Sequence, residues 1–492
     1  MNSNNPIKVG LVSLGCAKNL VDSEVMLGSL ARDGMEIAGD ARDADVVIVN
    51  TCGFIEGSKQ ESINAILKAN ELRKTGRCKA LIMAGCLTQR YPKDLQNELP
   101  EVDAIIGLNE VPRIGEIVRE VLDRVGQASS LSVTGRANKQ DARSTLYWSG
   151  PAKFVPDYAA PRFRLTPKHY AYVKIAEGCN HLCTFCSIPR IRGRHRSRTM
   201  EDVLAEVRSL VASGVREINL ISQDTTFYGR DLGAATAGPG RRKGASETGA
   251  SLPSLLLAIQ QIPGDFWVRL LYTHPAHWTD QLIDTIADCD KVCRYVDIPL
   301  QHVNDRMLDR MRRETDGRYI CRLLRNIRAG IPGIALRTTF IVGFPGETEK
   351  AFEELLSFIE ETKFERLGIF TYSQEDHTPA GDMKGQVSAK VKKQRYARAM
   401  ALQQKVSRKV QQSFVGKTLR VLIEKPSENR APSGPAPGWI ARSHADAPEI
   451  DGSVFVSGNA RVGDFATVRI TCATEYDLTG EVLPTANDLY LG

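Results

Sequence analysis

The chain has 492 residues, of which 25% are charged and 42% apolar, and its formal net charge is +7. These values are ordinary for a globular protein of about three domains, and no apolar run is long enough to cross a membrane. The opening MNSNNPIKVG lacks a basic leader and an apolar signal core, so a cytoplasmic protein is expected, with its 11 cysteines serving as metal ligands rather than disulfides.

The first three apolar runs are VGLVSLG, DVVIVNT and ALIMAG, followed by Cys16, Cys52 and Cys86. Short aliphatic and β-branched runs bounded by polar residues or glycine predict buried parallel strands, with helices near 21–32 and 58–73 between them. In an open α/β sheet the carboxyl ends of such strands line one crevice. Three cysteines at three strand ends are therefore expected to converge as one cluster site. Asn50 and Thr51 would lend hydrogen bonds to its sulfurs. Residues 1–124 are read as a doubly wound α/β domain. Residues 125–168, rich in Ser, Ala and Pro, are read as a linker.

From Tyr170 a strand-then-helix rhythm runs through AYVKIA, EINLIS, FWVRLL, RYVDIPL, ALRTTFIVG and RLGIFTY. Six such units predict a partial (βα)6 barrel, since eight close a full one. With a trailing helix from 388 to about 412, this domain is assigned residues 169–412. After its first strand comes EGCNHLCTFCSIPRIRGRHRSR, with Cys179, Cys183 and Cys186 in a CxxxCxxC spacing. Three thiolates can hold three irons of a [4Fe–4S] cluster and leave the fourth open, unlike the four-cysteine ligation of electron carriers. Arg190, Arg192, Arg194, Arg196 and Arg198 alternate after it, as on one side of a strand, and are read equally as a solvated face or as contacts to a cofactor carboxylate or an acidic substrate. Gln223, Asp224, Gln301 and His302 end strands on the same face; the first three are candidate cofactor contacts. His302 is read equally well as a core histidine. Gly343 and Gly346 would admit a nucleoside or serve a turn. Cys78, Cys289, Cys293, Cys321 and Cys472 are read as packing residues. Residues 233–251 are a low-complexity insertion.

Beyond 413 the pattern changes to short alternating strands, LRVLIEK, SVFVSG, DFATVRITC and YDLTGEVL, predicting a small five-stranded β-barrel of OB-like type over 413–492. A Pro/Gly/Ser-rich insertion at 426–438 interrupts it. This region holds seven basic and ten acidic residues, a net −3. A phosphate-tracking module should be basic. An acidic one suits a basic protein, with Asp446, Glu449 and Asp451 as the expected contacts.

The chain resembles the methylthiotransferases, radical S-adenosylmethionine (SAM) enzymes with an N-terminal cluster domain, a radical SAM barrel and a C-terminal TRAM domain. Within them it looks most like the RimO type. The resemblance rests on VSLGCAKNLVDSEVM, NTCGFIEGSKQESI, GCLTQRYPKDLQNELPEVDAIIG, AEGCNHLCTFCSIPRIRGRHRSR, DIPLQHVNDRMLDRMRRET, IVGFPGETE, FTYSQEDHTPA and ADAPEIDG. The tRNA-modifying relatives open with a TxGCQMN-like run where this chain has SLGCAKN. The likeness implies two [4Fe–4S] clusters, on Cys16, Cys52 and Cys86 and on Cys179, Cys183 and Cys186. It implies SAM as both methyl donor and radical source. The implied reaction places a methylthio group on the β-carbon of an aspartate in small-subunit ribosomal protein S-twelve, free or in the ribosome. The implied partners are that protein and an electron donor of flavodoxin or ferredoxin type, with a monomeric enzyme and no membrane. The rival readings are a tRNA methylthiotransferase acting on an adenosine beside the anticodon and, farther off, an iron–sulfur electron carrier or RNA-binding scaffold.

Overall fold

The computed structural model describes residues 6–133, 145–232, 249–427 and 438–484. Most of the two low-complexity insertions read from the sequence lies outside them.

The first sheet is parallel, in the spatial order Glu36–Ile37, Lys8–Ser13, Val46–Thr51, Ala80–Gly85, Ala104–Ile106 and Leu146–Trp148. Its central strands VVIVNT and ALIMAG are buried at every position, because helices cover both faces and leave no solvent side for polar alternation. Helices Ala17–Arg32 and Ile114–Val133 pack with one hydrophobic core, and Glu56–Thr75 lies over the other. The sixth strand, Leu146–Trp148, comes from the stretch read as linker, which thus completes this sheet's edge. The chain then crosses helix Ala17–Arg32, where Phe163 donates its amide to the Glu24 carbonyl and Arg162 donates to the Glu24 carboxylate.

The second sheet is also parallel and keeps chain order in space: Tyr170–Lys174, Glu217–Ile221, Trp267–Leu270, Val292–Asp297, Ala335–Val342 and Arg366–Thr371. These are the six expected strands. Amphipathic helices cover the outer face, their starts fixed by side-chain caps such as Thr199, Asp316 and Thr348. The inner face is unusual for a strand-lined core. Tyr170, Tyr172, Trp267, Leu271 and Tyr295 pack there against Val21 of the N-terminal helix and Leu422, Ala445 and Ala447 of the C-terminal domain. Both flanking domains therefore plug the open barrel from within.

The C-terminal domain is a closed barrel ordered Thr418–Pro426, Trp439–Ser443, Val454–Ser457, Leu478–Val482 and Phe465–Ala473. The sequence showed four of these strands. Trp439–Ser443 was hidden behind the insertion. Its loop to the next strand docks against the strands of the large sheet near their starts. Arg442 and Arg269 both donate to Glu217, at 2.6 and 2.7 Å. Arg366 pairs with Asp446, Tyr295 donates its hydroxyl to Asp451 at 2.7 Å, and Tyr170 donates to Glu449 at 2.8 Å. Asp446, Glu449 and Asp451, expected from the sequence to face a substrate, are thus committed to holding the domain in place. Asp446 is 2% exposed. Charge counting could not separate outward carboxylates from those matched to buried arginines.

Burial would raise the Glu217 carboxyl, but Arg442 and Arg269 outweigh it and bring its pKa down to about 2. Asp446 is likewise lowered, since Arg366 outweighs its burial. Asp451 runs the other way: its burial dominates and raises it. A depressed folded pKa contributes stability above the unfolded value of about 4.3, lost as pH falls towards the folded one. For Glu217 that contribution is on the order of 3 kcal/mol. The C-terminal barrel is expected to stay docked at pH 5 and loosen as pH falls from about 4 towards 2. Hydrogen exchange of strand Thr418–Pro426, corrected for intrinsic rates, should therefore be faster at pH 3 than at pH 5. Equal protection at both would contradict the assignment.

Candidate active site

Cys16, Cys52 and Cys86 follow adjacent parallel strands, Lys8–Ser13, Val46–Thr51 and Ala80–Gly85, and meet at one sheet edge. Cys16 is exposed, Cys52 partly buried and Cys86 buried. Their closeness shows at Gly15, where a Cβ would lie 2.9 Å from Cys52 Cβ and 3.2 Å from its sulfur. Only glycine leaves that space open. Cys179, Cys183 and Cys186 lie on the loop after the first strand of the large sheet. Burial pushes the Cys179 and Cys86 thiols up to about 12 and also raises Cys186. Burial thus opposes the thiolate at these three positions, as is usual for cysteines that lose their proton on binding a metal.

Among the described residues, one ligand atom each of His181, Asp224, His274 and His277 lie within 4.8 Å of one another. The histidine group has its own bonding. His181 Nε2 and His277 Nδ1 donate to Asp224 Oδ2 at 2.8 and 2.7 Å, and Thr226 Oγ1 donates to Oδ1 at 2.6 Å. These bonds outweigh burial and hold Asp224 well below the usual carboxylate range. His181 lies between Cys179 and Cys183, so Asp224 anchors the cysteine loop to the next strand's end.

The segment that follows the barrel cysteines packs against the N-terminal domain at Cys86. Ile191, on the short helix Ile188–Arg192 after Cys186, packs against Cys86 and Leu108. Arg192 spans the gap: it donates to Cys86 Sγ at 3.2 Å, Asp22 at 3.0 Å and Glu177 at 2.9 Å. Lys174 donates to the same two carboxylates, at 2.5 and 2.7 Å. On the other triad Arg313 donates to Cys183 Sγ at 3.5 Å and to the Pro299 carbonyl at 2.7 Å. Lys18, next to Cys16, is buried with its ammonium 2.8 Å from the Tyr272 ring centroid. Burial lowers its pKa to about 8. Crowding raises the Cys16 thiol, but Lys18 and Arg192 outweigh that and leave it lowered. Lys18, Arg313 and Tyr272 were not singled out in the sequence. Lys18 beside a cluster cysteine, in AKN, was the available signal.

Gln223 donates to Glu177 Oε1 at 2.5 Å, bracing the residue two before Cys179. Gln301 has a positive φ of 71° and bridges to Phe340 at the end of a strand. His302 is fully buried, 3.2 Å from Glu347, and accepts the amides of Val303 and Asn304; it is a core histidine. Gly343 and Gly346 have φ of 73° and 80°. Cβ atoms there would reach Lys392 Cγ at 2.3 Å and Arg310 Nε at 3.0 Å, so turn and packing account for both. Asn50 donates to the Asn19 carbonyl and the Ser23 hydroxyl, and Thr51 to the Ala84 carbonyl. Their donors brace the sheet edge rather than reaching sulfur. The five alternating arginines do not share a strand face. Arg190 and Arg192 are in a helix, and Arg198 is buried against Asp202 and Glu206.

Three family descriptions match: Uncharacterized protein family UPF0004 over residues 8–107, the radical SAM superfamily over 173–359 and the TRAM domain over 415–483. Among curated relatives, the ribosomal protein uS12 methylthiotransferase RimO of Opitutus terrae is 56% identical over 476 residues, 96% of each chain. The RimO protein of Akkermansia muciniphila is 50% identical over 480 residues, 97% of this chain and 100% of its own. Among solved structures, the radical SAM methyltransferase TsrM of Kitasatospora setae has a TM-score of 0.49 at 14% identity, covering 77% of this chain and 74% of that one.

Proposed function

The chain belongs to the RimO family of radical SAM methylthiotransferases, and from that premise we propose that it methylthiolates the β-carbon of an aspartate in ribosomal protein uS12. Cys179, Cys183 and Cys186 hold the SAM-binding [4Fe–4S] cluster, and Cys16, Cys52 and Cys86 hold a second, sulfur-supplying one. The observation that carries this reading is the packing of the short helix after the barrel cysteines against Cys86, with Arg192 of that helix donating both to Cys86 and to Glu177, two residues before Cys179. When bound, SAM and the clusters supply the radical, sulfur and methyl chemistry that an unactivated C–H bond requires.

The chain's own residues do the holding. Arg192 and Arg313 donate to one sulfur of each triad, favouring the thiolate at each. Asp224, through His181, and Glu177, through Gln223, fix both ends of the loop that carries the barrel cysteines. Tyr172, Leu271 and Tyr295 make the barrel floor apolar and keep water from the reacting centre. The same reading includes a one-electron donor of flavodoxin or ferredoxin type and a monomeric cytoplasmic enzyme. No helix of the described residues is long and apolar enough to cross a membrane.

Anaerobically reconstituted protein is expected to hold about eight irons, and Cys52→Ala or Cys183→Ala about four each. Iron analysis with absorption spectra checks this. Unchanged iron after removal of Cys16, Cys52 and Cys86 together would refute the second cluster.

A further inference from the structure

Among the described residues, Lys174, Arg192 and Arg337 have carboxylate partners and Lys18 has none. Lys174 and Arg192 share Asp22 and Glu177, and Arg337 donates to Asp297 at 2.7 Å. Lys18 is 8% exposed, and among the described residues its ammonium has no hydrogen-bond or ion-pair partner, only the face of Tyr272 and, through space, the Cys16 sulfur. The nearby carboxylates are occupied. Asp297 also accepts the Tyr272 amide at 3.0 Å, and Glu177 also accepts from Gln223. An ammonium largely withdrawn from water, with donors that no carboxylate fills, gains from an anion that completes it. The surroundings hold it in place: Ala17 and Leu20 of its own helix pack into the barrel floor beside Tyr272.

We propose that Lys18 binds the side-chain carboxylate of the substrate aspartate and so selects the residue that is modified. This rests on the function proposed above. The carbon to be modified is bonded directly to that carboxyl carbon. A carboxylate seated on Lys18 would therefore bring the reacting carbon next to Cys16, at the triad assigned to sulfur supply. Tyr272 backs the ammonium from the other side, leaving its remaining donors for one anion. The shared chemistry, a carboxylate, could also come from the methionine moiety of SAM, and the experiment separates the two sources.

The full-length, anaerobically reconstituted enzyme is titrated with a uS12 peptide carrying the target aspartate and with the same peptide carrying asparagine there. Wild type is expected to bind the aspartate peptide at least about tenfold tighter, the size of one hydrogen bond to a charged group. Lys18→Met should bring that ratio to about one and raise KM for the aspartate peptide. Lys18→Arg should restore part of the ratio. An undiminished ratio in Lys18→Met would overturn the proposal. So would a fall in SAM affinity with the peptide ratio kept, which moves the carboxylate to SAM. Loss of iron with the ratio kept would assign Lys18 to balancing cluster charge and would also overturn it. If Lys18→Met loses both iron and ratio, Lys18→Arg with full iron decides: a ratio still above one upholds the proposal, and a ratio of one refutes it. Mass spectrometry of the peptide with wild type tests the parent reading separately, since methylthiolation there stands whatever Lys18 does.

Discussion

Cys183→Ala should abolish formation of 5′-deoxyadenosine, while Cys52→Ala should keep forming it and yield no methylthiolated uS12. The barrel cysteines and those at the N-terminal sheet edge are on different domains, each with its own arginine donor to sulfur, Arg313 on one and Arg192 on the other. Losing a ligand from one triad leaves the other's three thiolates and their loop untouched. The loss in product should reach the assay floor for either variant, because neither half of the chemistry has a side chain that can substitute. Quantifying 5′-deoxyadenosine and product in the same reaction, at matched protein folding by circular dichroism, checks the split. Loss of 5′-deoxyadenosine in both variants with the fold intact would make the N-terminal cluster the point of electron entry instead.

Asp446→Ala should loosen the C-terminal barrel rather than slow substrate capture. The substitution leaves Arg366 buried without its partner and frees the Ser443 hydroxyl, which donates to Asp446 at 2.6 Å. Breaking a buried pair from one side costs about 3–5 kcal/mol, enough to lower the melting temperature by several degrees in a chain this size. Differential scanning calorimetry and protease sensitivity near Ser413 should both register the change. A wild-type melting temperature with slower, salt-dependent association to uS12 would return this carboxylate to substrate steering.

The two cysteine triads and the six strands of the large sheet could be read from the chain because each has a local signature. Spacing marks one triad, strand ends mark the other, and apolar runs mark the strands. What could not be read depends on partners far apart in sequence. Arg192 looks like one of five alternating arginines until Asp22 and Glu177 are seen around it. Asp446 looks like surface charge until Arg366, eighty residues earlier, is found against it. Strand Trp439–Ser443 was missed because the Pro- and Gly-rich run before it masks its start. Leu146–Trp148 escaped because three residues carry too little alternation to stand out from a linker. His302 and Gly343 show the converse, a motif residue whose position is explained by packing against Glu347 and Lys392.

The most direct test of the account is the intact and fragment mass of uS12 from cells with and without this gene. With the gene, the protein should be heavier by one sulfur atom and one CH2 group, and fragmentation should place them on a single aspartate. The tRNA from the same cells should be unchanged in methylthio-adenosine. An unchanged uS12 mass, or a methylthio group gained on tRNA adenosine instead, would contradict it.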